Sequence, residues 1–67
     1  MNKTFTLKLE FGGSIYEYNF VVNGCKVQIT LNISSWGKKL SSTWEDSIEL
    51  ARNSWRFLRK SGYVQVA

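Results

Sequence analysis

The chain has 67 residues, the size of one small domain with a single thin core and no room for a deep substrate cleft. Hydrophobic residues make up 43% of the chain and aromatic residues 15%, so large side chains compensate for its short length. With no repeat, no proline and no linker-like segment, residues 1–67 are predicted to form a single domain.

The charge balance is basic, because nine Lys and Arg residues stand against five Asp and Glu residues and give a net charge of +4. Such a balance favours acidic partners, either nucleic acid or an acidic protein surface, although it also serves solubility alone. The one cysteine, Cys25, allows no intramolecular disulfide and favours a reducing compartment. The N-terminus alternates polar and apolar residues, so we predict a cytoplasmic protein that does not span a membrane.

The residue inventory excludes the common forms of catalysis. The chain has no histidine and a single cysteine, so it lacks a usual zinc site and a Cys-His or Ser-His pair. Its glycines lie between predicted strands, whereas a phosphate-binding loop needs them between a strand and a helix. We therefore predict a non-enzymatic protein that needs no cofactor and no metal ion.

Three strands are predicted in the first half, each with apolar residues at every second position. Gly12-Gly13 and Asn23-Gly24 separate them as two-residue turns, which predicts a three-stranded antiparallel meander. The apolar positions are Phe5, Leu7, Leu9 and Phe11, then Tyr16, Tyr18, Phe20 and Val22, then Cys25, Val27, Ile29, Leu31 and Ile33.

Both turns predict a cross-strand register that places apolar residues on one shared face. The first turn pairs Phe11 with Ser14, Leu9 with Tyr16, Leu7 with Tyr18 and Phe5 with Phe20. The second pairs Val22 with Cys25, Phe20 with Val27, Tyr18 with Ile29 and Tyr16 with Leu31. Cys25 is accordingly predicted to point inward as a small buried hydrophobic residue.

After Ile33 the alternation stops, and residues 34–41 are predicted to form a connection that crosses the sheet. A helix is expected to follow, with Ser42 and Glu45 as a capping box and Glu45, Asp46 and Glu49 in its first turns. Its apolar stripe comprises Trp44, Ile48, Ala51, Trp55 and Leu58.

Ser61-Gly62 ends this helix, and residues 63–66 are expected to form a short edge strand beside strand one or, less economically, strand three. The predicted class is α+β: a two-layer fold with an antiparallel meander, one helix on one face and the order βββαβ.

Two helix surfaces are candidate binding sites. The first is basic and contains Arg52, Arg56, Arg59 and Lys60, with Lys38, Lys39 and Trp36 as an extension from the preceding loop. Its cations could contact phosphates or an acidic protein groove, or could simply complement the helix dipole.

The second surface is a seam of two large apolar residues among small ones, Ser47, Leu50, Ser54, Phe57 and Ser61. It could close a homodimer or anchor another partner. Alternatively, Trp36 and Leu40 could fold back and cover Leu50 and Phe57 within the same chain. The opposite sheet face is mostly polar and lacks central aromatic residues, which disfavours base stacking on the sheet.

The strand meander followed by the segment TWEDSIELARNSWRFLRKSGYVQV resembles small bacteriophage host-takeover proteins. These include the phage inhibitor of bacterial RNA polymerase and several anti-CRISPR proteins. The likeness covers the order of elements over most of the chain and transfers no functional residue.

This resemblance implies a phage-encoded modulator or inhibitor that docks on a host protein or nucleoprotein complex in the host cytoplasm. A small basic nucleic-acid-binding protein is the alternative, and a homodimeric structural subunit is a third possibility.

Overall fold

The computed structural model describes residues 3–66, which form a five-stranded antiparallel sheet and one helix. The elements are β1 (Lys3–Phe11), β2 (Ser14–Asn23), β3 (Lys26–Ser35), β4 (Lys38–Ser47), α1 (Ile48–Lys60) and β5 (Val64–Gln65). Their order across the sheet is β4-β3-β2-β1-β5. The α+β class is therefore confirmed, but the meander has four strands and not three.

The first hairpin has the predicted register. Phe11 pairs with Ser14 and Phe5 pairs with Phe20, while Lys8 lies opposite Glu17 on the other face. Gly12 and Gly13 form the turn, and both have positive φ, at 60° and 81°. Glycine reaches this region without the clash that a Cβ causes, so the turn closes without strain.

The second hairpin is shifted by two residues from the predicted register. Asn23 pairs with Lys26, so the turn consists of Gly24 and Cys25, and Phe20 lies opposite Ile29. Only Gly24 has positive φ, as in a turn with glycine at its first central position. Because the shift is even, each side chain keeps its predicted face, but Cys25 is exposed in the turn and not buried.

The predicted crossing connection at residues 34–41 is wrong. The segment completes β3, turns at Trp36-Gly37 and enters β4, which pairs with β3 along its full length. Both turn residues have positive φ, 47° at Trp36 and 79° at Gly37. A bulky residue rarely adopts this conformation, so the hairpin was not evident from its turn residues.

The predicted helix start at Ser42 is also wrong. Ser42, Trp44 and Glu45 lie on β4, and the helix begins at Ile48 with Ser47 as its N-cap. The Leu50 amide donates to the Ser47 hydroxyl oxygen over 3.3 Å and so satisfies one free backbone donor. Asp46 likewise lies on β4, which leaves Glu49 as the acidic residue of the first helical turn.

The core lies between α1 and one half of the apolar sheet face. It contains the buried residues Leu7, Phe20, Val27, Ile29, Ala51 and Leu58, with Ile48 and Trp55 packed against them. The helix has 13 residues and the central strands have ten, lengths of about 20 Å and 33 Å. The helix therefore covers only the half of the sheet nearer the Gly24-Cys25 turn.

The other half of this face, which we call the uncovered half, includes Phe11, Leu31, Ile33 and Leu40. Phe11 is 74% exposed and Leu40 68% exposed. Leu50 and Phe57 are exposed as well. Trp36 does not cover Leu50 or Phe57, because its indole lies against Gly13. A Cβ built on Gly13 would be 3.4 Å from Trp36 Cζ2. The alternative in which Trp36 and Leu40 cover Leu50 and Phe57 is therefore wrong.

The helix ends in a Schellman motif. The Gly62 amide donates to the Arg59 carbonyl and the Tyr63 amide to the Leu58 carbonyl, while Gly62 has a φ of 104°. The chain then enters β5, which pairs with β1 at Leu7 and Lys8. This confirms the placement of the last strand beside strand one.

Candidate protein-binding surfaces

The basic residues predicted to form one surface are divided between two parts of the molecule. Arg52, Arg56, Arg59 and Lys60 are exposed on α1, whereas Lys38 and Lys39 lie at the start of the edge strand β4. Arg52 lines a cavity with residues of β1, β2, β3 and β5, on the side of the helix away from β4. The structure therefore offers no continuous basic track that joins the helix cations to Lys38 and Lys39.

Arg52, Arg56 and Arg59 form the part of this surface that we call the arginine flank. Residues three and four positions apart are neighbours on a helix, so the three guanidinium groups share one side. The helix dipole acts mainly within the last turn, where Arg59 and Lys60 lie. It does not account for Arg52 and Arg56, which favours a binding role for these two residues.

An open cavity of about 440 Å³ lies beside the arginine flank, and we call it the helix cavity. Its walls are almost entirely apolar, and Arg52 is the one charged residue among the described residues that line it. Two aromatic contacts shape the walls: the Trp55 ring lies edge-on to Phe5 at 6.0 Å and to Phe20 at 5.2 Å. An apolar recess with a guanidinium group at its margin suits a group that combines an apolar body with negative charge.

Trp36 lies far from the arginine flank along the chain and in the fold, in the turn between β3 and β4. It is 86% exposed, and its backbone is in the left-handed region at φ 47°. An exposed indole in a costly backbone conformation contributes little to the core. Trp36 therefore remains a candidate contact residue, together with Lys38 and Lys39, with which it lines a shallow depression.

Lys38 and Lys39 point to opposite faces of the sheet, because side chains alternate along a strand. Lys39 lies on the polar face, where it lines a small recess with Glu17 and Asn32. Lys38 lies on the apolar face, opposite Ser35 of β3. The two lysines consequently cannot form a single cationic contact.

The seam is partly retained. Ser47 serves as the helix cap and the Ser61 hydroxyl donates to the Phe57 carbonyl, so both serines have local structural roles. Ser54 and Phe57 line a groove of about 400 Å³ that also borders Trp44 of β4. Leu50 is 56% exposed and Phe57 69% exposed on this side of the helix, which faces the β4 edge.

Trp44 and the carboxylates of β4 are surface features that the sequence prediction placed on the helix. Trp44 is 39% exposed, contacts the Tyr18 ring edge-on at 6.4 Å, and donates to Asp46 Oδ2 over 3.2 Å. Glu45 forms an ion pair with Lys26 of the neighbouring strand, with 3.4 Å between Glu45 Oε1 and Lys26 Nζ. A two-residue turn at Trp36-Gly37 would have predicted β4 and these surface residues, because its register pairs Ile33 with Leu40 and Ile29 with Trp44.

Among the described residues, Tyr63 has a hydroxyl pKa that its surroundings clearly shift. Partial burial raises the pKa of its hydroxyl above the usual 10.0, and the neighbouring Tyr18 and Tyr16 hydroxyls raise it further. The Tyr18 and Tyr63 rings meet edge-on at 5.4 Å, at the border between the covered and uncovered halves of the sheet.

Residues 3–66 contain no group of three or more Cys, Asp or Glu side chains placed to hold a metal ion. None of the described helix segments is long and apolar enough to cross a membrane. Comparisons of the chain with protein-family models, with curated proteins and with solved structures find no match.

Proposed function

We propose that this chain is a non-enzymatic binding protein that docks on an acidic, amphipathic segment of a protein partner. The observation that carries this proposal is the position of the arginine flank beside the helix cavity. Arg52 belongs to both features, so one ligand could place an apolar side chain in the cavity and a carboxylate on the guanidinium group. Arg56 and Arg59 would extend the cationic contact along the helix.

A protein partner accounts for this arrangement better than nucleic acid does. A phosphate backbone needs a series of cations along a track, and the lysines of β4 lie apart from the arginine flank. At the helix cavity, recognition of single-stranded bases would need exposed aromatic rings, whereas Phe5 and Trp55 are half-buried against each other there.

Docking of this kind would block or redirect the partner by occupying one of its surfaces. The resemblance to small bacteriophage host-takeover proteins makes a bacterial host protein or nucleoprotein complex the partner that we propose. The host cytoplasm would then be the site of action. Trp36 could add a second, separate contact to a large partner, together with either Lys38 or Lys39, since these residues lie in a different part of the fold.

The direct test measures binding of a short fluorescent peptide in which Asp and Glu alternate with Leu and Trp. Binding of a labelled DNA duplex is measured separately and represents the nucleic-acid alternative. We expect anisotropy to show peptide binding that Arg52→Glu weakens at least about tenfold, because it replaces attraction by repulsion at the cavity margin. Lys26→Glu is the matched control: it changes net charge equally, on the opposite sheet face, and should bind as the unmodified chain does.

The three tryptophans report where the peptide binds. In nitrogen-15 spectra, the indole N–H resonance of Trp55 should shift during titration, while that of Trp36 should not. Binding to the duplex that falls steeply between about 0.05 and 0.3 M salt, without peptide binding, would replace this proposal with the nucleic-acid alternative. Peptide binding that Arg52→Glu leaves unchanged would place the site elsewhere.

A further inference from the structure

The outer edge of β4 is the long open edge of the sheet. β4 has ten residues, is exposed along almost its whole length, and pairs with no other described strand on this side. The opposite edge is closed by β5, which has two residues. Long unpaired edges present free backbone donors and acceptors to other strands, and proteins usually protect them with a bulge, a proline or repelling charges. β4 contains neither proline nor glycine.

The charges of β4 are arranged so that the strand complements itself. Two lysines stand near its start and two carboxylates near its end, with Ser42 midway between them. In an antiparallel pair of two copies centred on Ser42, every charged residue lies opposite its counter-charge, and the two apolar residues lie opposite each other. The resulting pairs are Lys38 with Asp46, Lys39 with Glu45, Leu40 with Trp44, and Ser41 with Thr43.

No neighbouring register has this property. Centring the pair on Ser41 would place Lys38 opposite Trp44, and centring it on Thr43 would place Leu40 opposite Asp46. Intermediate registers would join the apolar face of one copy to the polar face of the other, because side chains alternate along each strand.

We propose that a second copy of this chain occupies the β4 edge, in a two-fold symmetric dimer whose sheets join into one continuous antiparallel sheet. The charge complementarity of β4 with itself selects this occupant, since a different partner would have no reason to match both ends of the strand. The pairing is isologous, with the two-fold axis passing beside Ser42. This inference does not rest on the function proposed above, whose main site lies on the opposite side of the helix. In the dimer, Lys38 and Lys39 would pair with the second copy and would not contact another partner.

The dimer also accounts for apolar residues that the single chain leaves exposed. Leu40, 68% exposed, would pack beside Trp44 of the partner subunit. Because the paired strands run antiparallel, the partner's helix begins next to the start of β4, at the end of the sheet that α1 does not cover. Its flank with Leu50 and Phe57 faces the β4 edge and would therefore approach the uncovered half.

Contacts within the chain already orient the two carboxylates. Lys26 holds Glu45 through Oε1, and the Trp44 indole holds Asp46 through Oδ2. The second oxygen of each carboxylate remains for a lysine of the partner subunit. Side chains that are fixed before association lose less freedom when the pair forms.

A charge-exchange experiment tests the proposal. Sedimentation equilibrium of the full chain between about 1 µM and 1 mM should show a dimer that weakens as salt increases. The variants Lys38→Glu/Lys39→Glu and Glu45→Lys/Asp46→Lys should each dimerise at least about tenfold more weakly, because like charges then face each other. A mixture of the two variants should restore dimers, and so should the chain that carries all four exchanges.

Arg56→Glu/Lys60→Glu is the matched control for Lys38→Glu/Lys39→Glu, with the same change in net charge away from β4, and should dimerise normally. Circular dichroism verifies that each variant folds. A chain that stays monomeric at 1 mM would overturn the proposal. So would a dimer that persists in both charge variants, because it would form through another surface.

Cross-linking tests the register itself. In a Cys25→Ser background, Ser42→Cys would place two thiols across the two-fold axis with Cα atoms about 5 Å apart, within disulfide range. Thr43→Cys would place them about 8 Å apart, too far for a disulfide. Rapid oxidation of the first variant to a covalent dimer and not of the second is the expected result, and the reverse would exclude this register.

Discussion

The two halves of the apolar sheet face are built from the same kinds of residue but differ in what covers them. Ile29 and Ile33 lie four positions apart on β3 and point to the same side. Ile29 is 1% exposed beneath α1, whereas Ile33 is only partly buried beyond the end of the helix. Strand periodicity thus specifies which face is apolar, and the length and direction of the helix decide which part of that face becomes core.

The largest expected effect comes from removing the same side-chain atoms in each half. Ile29→Ala should lower the free energy of unfolding by about 3 kcal/mol, because it leaves a cavity among close-packed neighbours. Ile33→Ala should cost about 1 kcal/mol, since the site is open and solvent can fill it. Urea denaturation of the dilute chain measures both values. Equal losses would mean that the uncovered half is buried in solution, and the comparison between the two halves would fail.

Two parts of the fold could be predicted from the sequence: the first hairpin and the apolar stripe of the helix. The register of β1 and β2 follows from Gly12-Gly13 and from the alternation of apolar residues, both of which are local signals. The stripe of Ile48, Ala51, Trp55 and Leu58 could be identified because a helical period persists over several turns. The shift in the second hairpin escaped prediction because registers two residues apart bury the same face.

The region around β4 could not be predicted for a different reason. Its serines and threonine suit both a loop and an exposed edge strand, and the segment Ser42–Glu45 matches a helix capping box without being one. Tertiary pairing with β3 decided between these conformations. The residues Trp36-Gly37 are a weak turn signal in the sequence, since tryptophan seldom adopts positive φ.

The candidate sites were partly predictable as well. Arg52, Arg56 and Arg59 share a helix side in any helix that contains them, so their grouping followed from spacing alone. Their separation from Lys38 and Lys39 could not be predicted, because these lysines lie on β4. With residues 34–41 predicted as a loop, the lysines and arginines could have formed one surface. The complementarity of the β4 edge becomes visible only when residues 38–47 are read as a strand.

A smaller effect would distinguish the helix start in the structure from the one that the capping-box pattern favours. Ser47→Ala should lower the free energy of unfolding by about 1 kcal/mol, because the Leu50 amide loses its acceptor at the point where α1 begins to cover the sheet. Ser42→Ala, on the exposed edge strand, should change it by less than about 0.5 kcal/mol. Urea midpoints of the two variants at low protein concentration make the comparison, and a larger loss at Ser42 would favour the earlier helix start.

The smallest effect is a pH dependence at the border between the two halves, where Tyr63 meets Tyr18. Partial burial raises the pKa of Tyr63 in the folded chain above the value of 10.0 that applies when it is unfolded. The folded state therefore holds the proton more tightly, and the associated stability is fully present below pH 10 and is lost as the pH rises through the higher folded pKa.

Tyr63→Phe removes this dependence while keeping the ring that contacts Tyr18. The difference in urea midpoint between Tyr63→Phe and the unmodified chain should be constant up to about pH 9.5 and should then shift in favour of the variant as the pH rises further. Taking this difference cancels the titration of the lysines, which both proteins share. A difference that stays constant to pH 11 would mean that solvent reaches Tyr63 freely and that the border of the covered half lies closer to the Gly24-Cys25 turn.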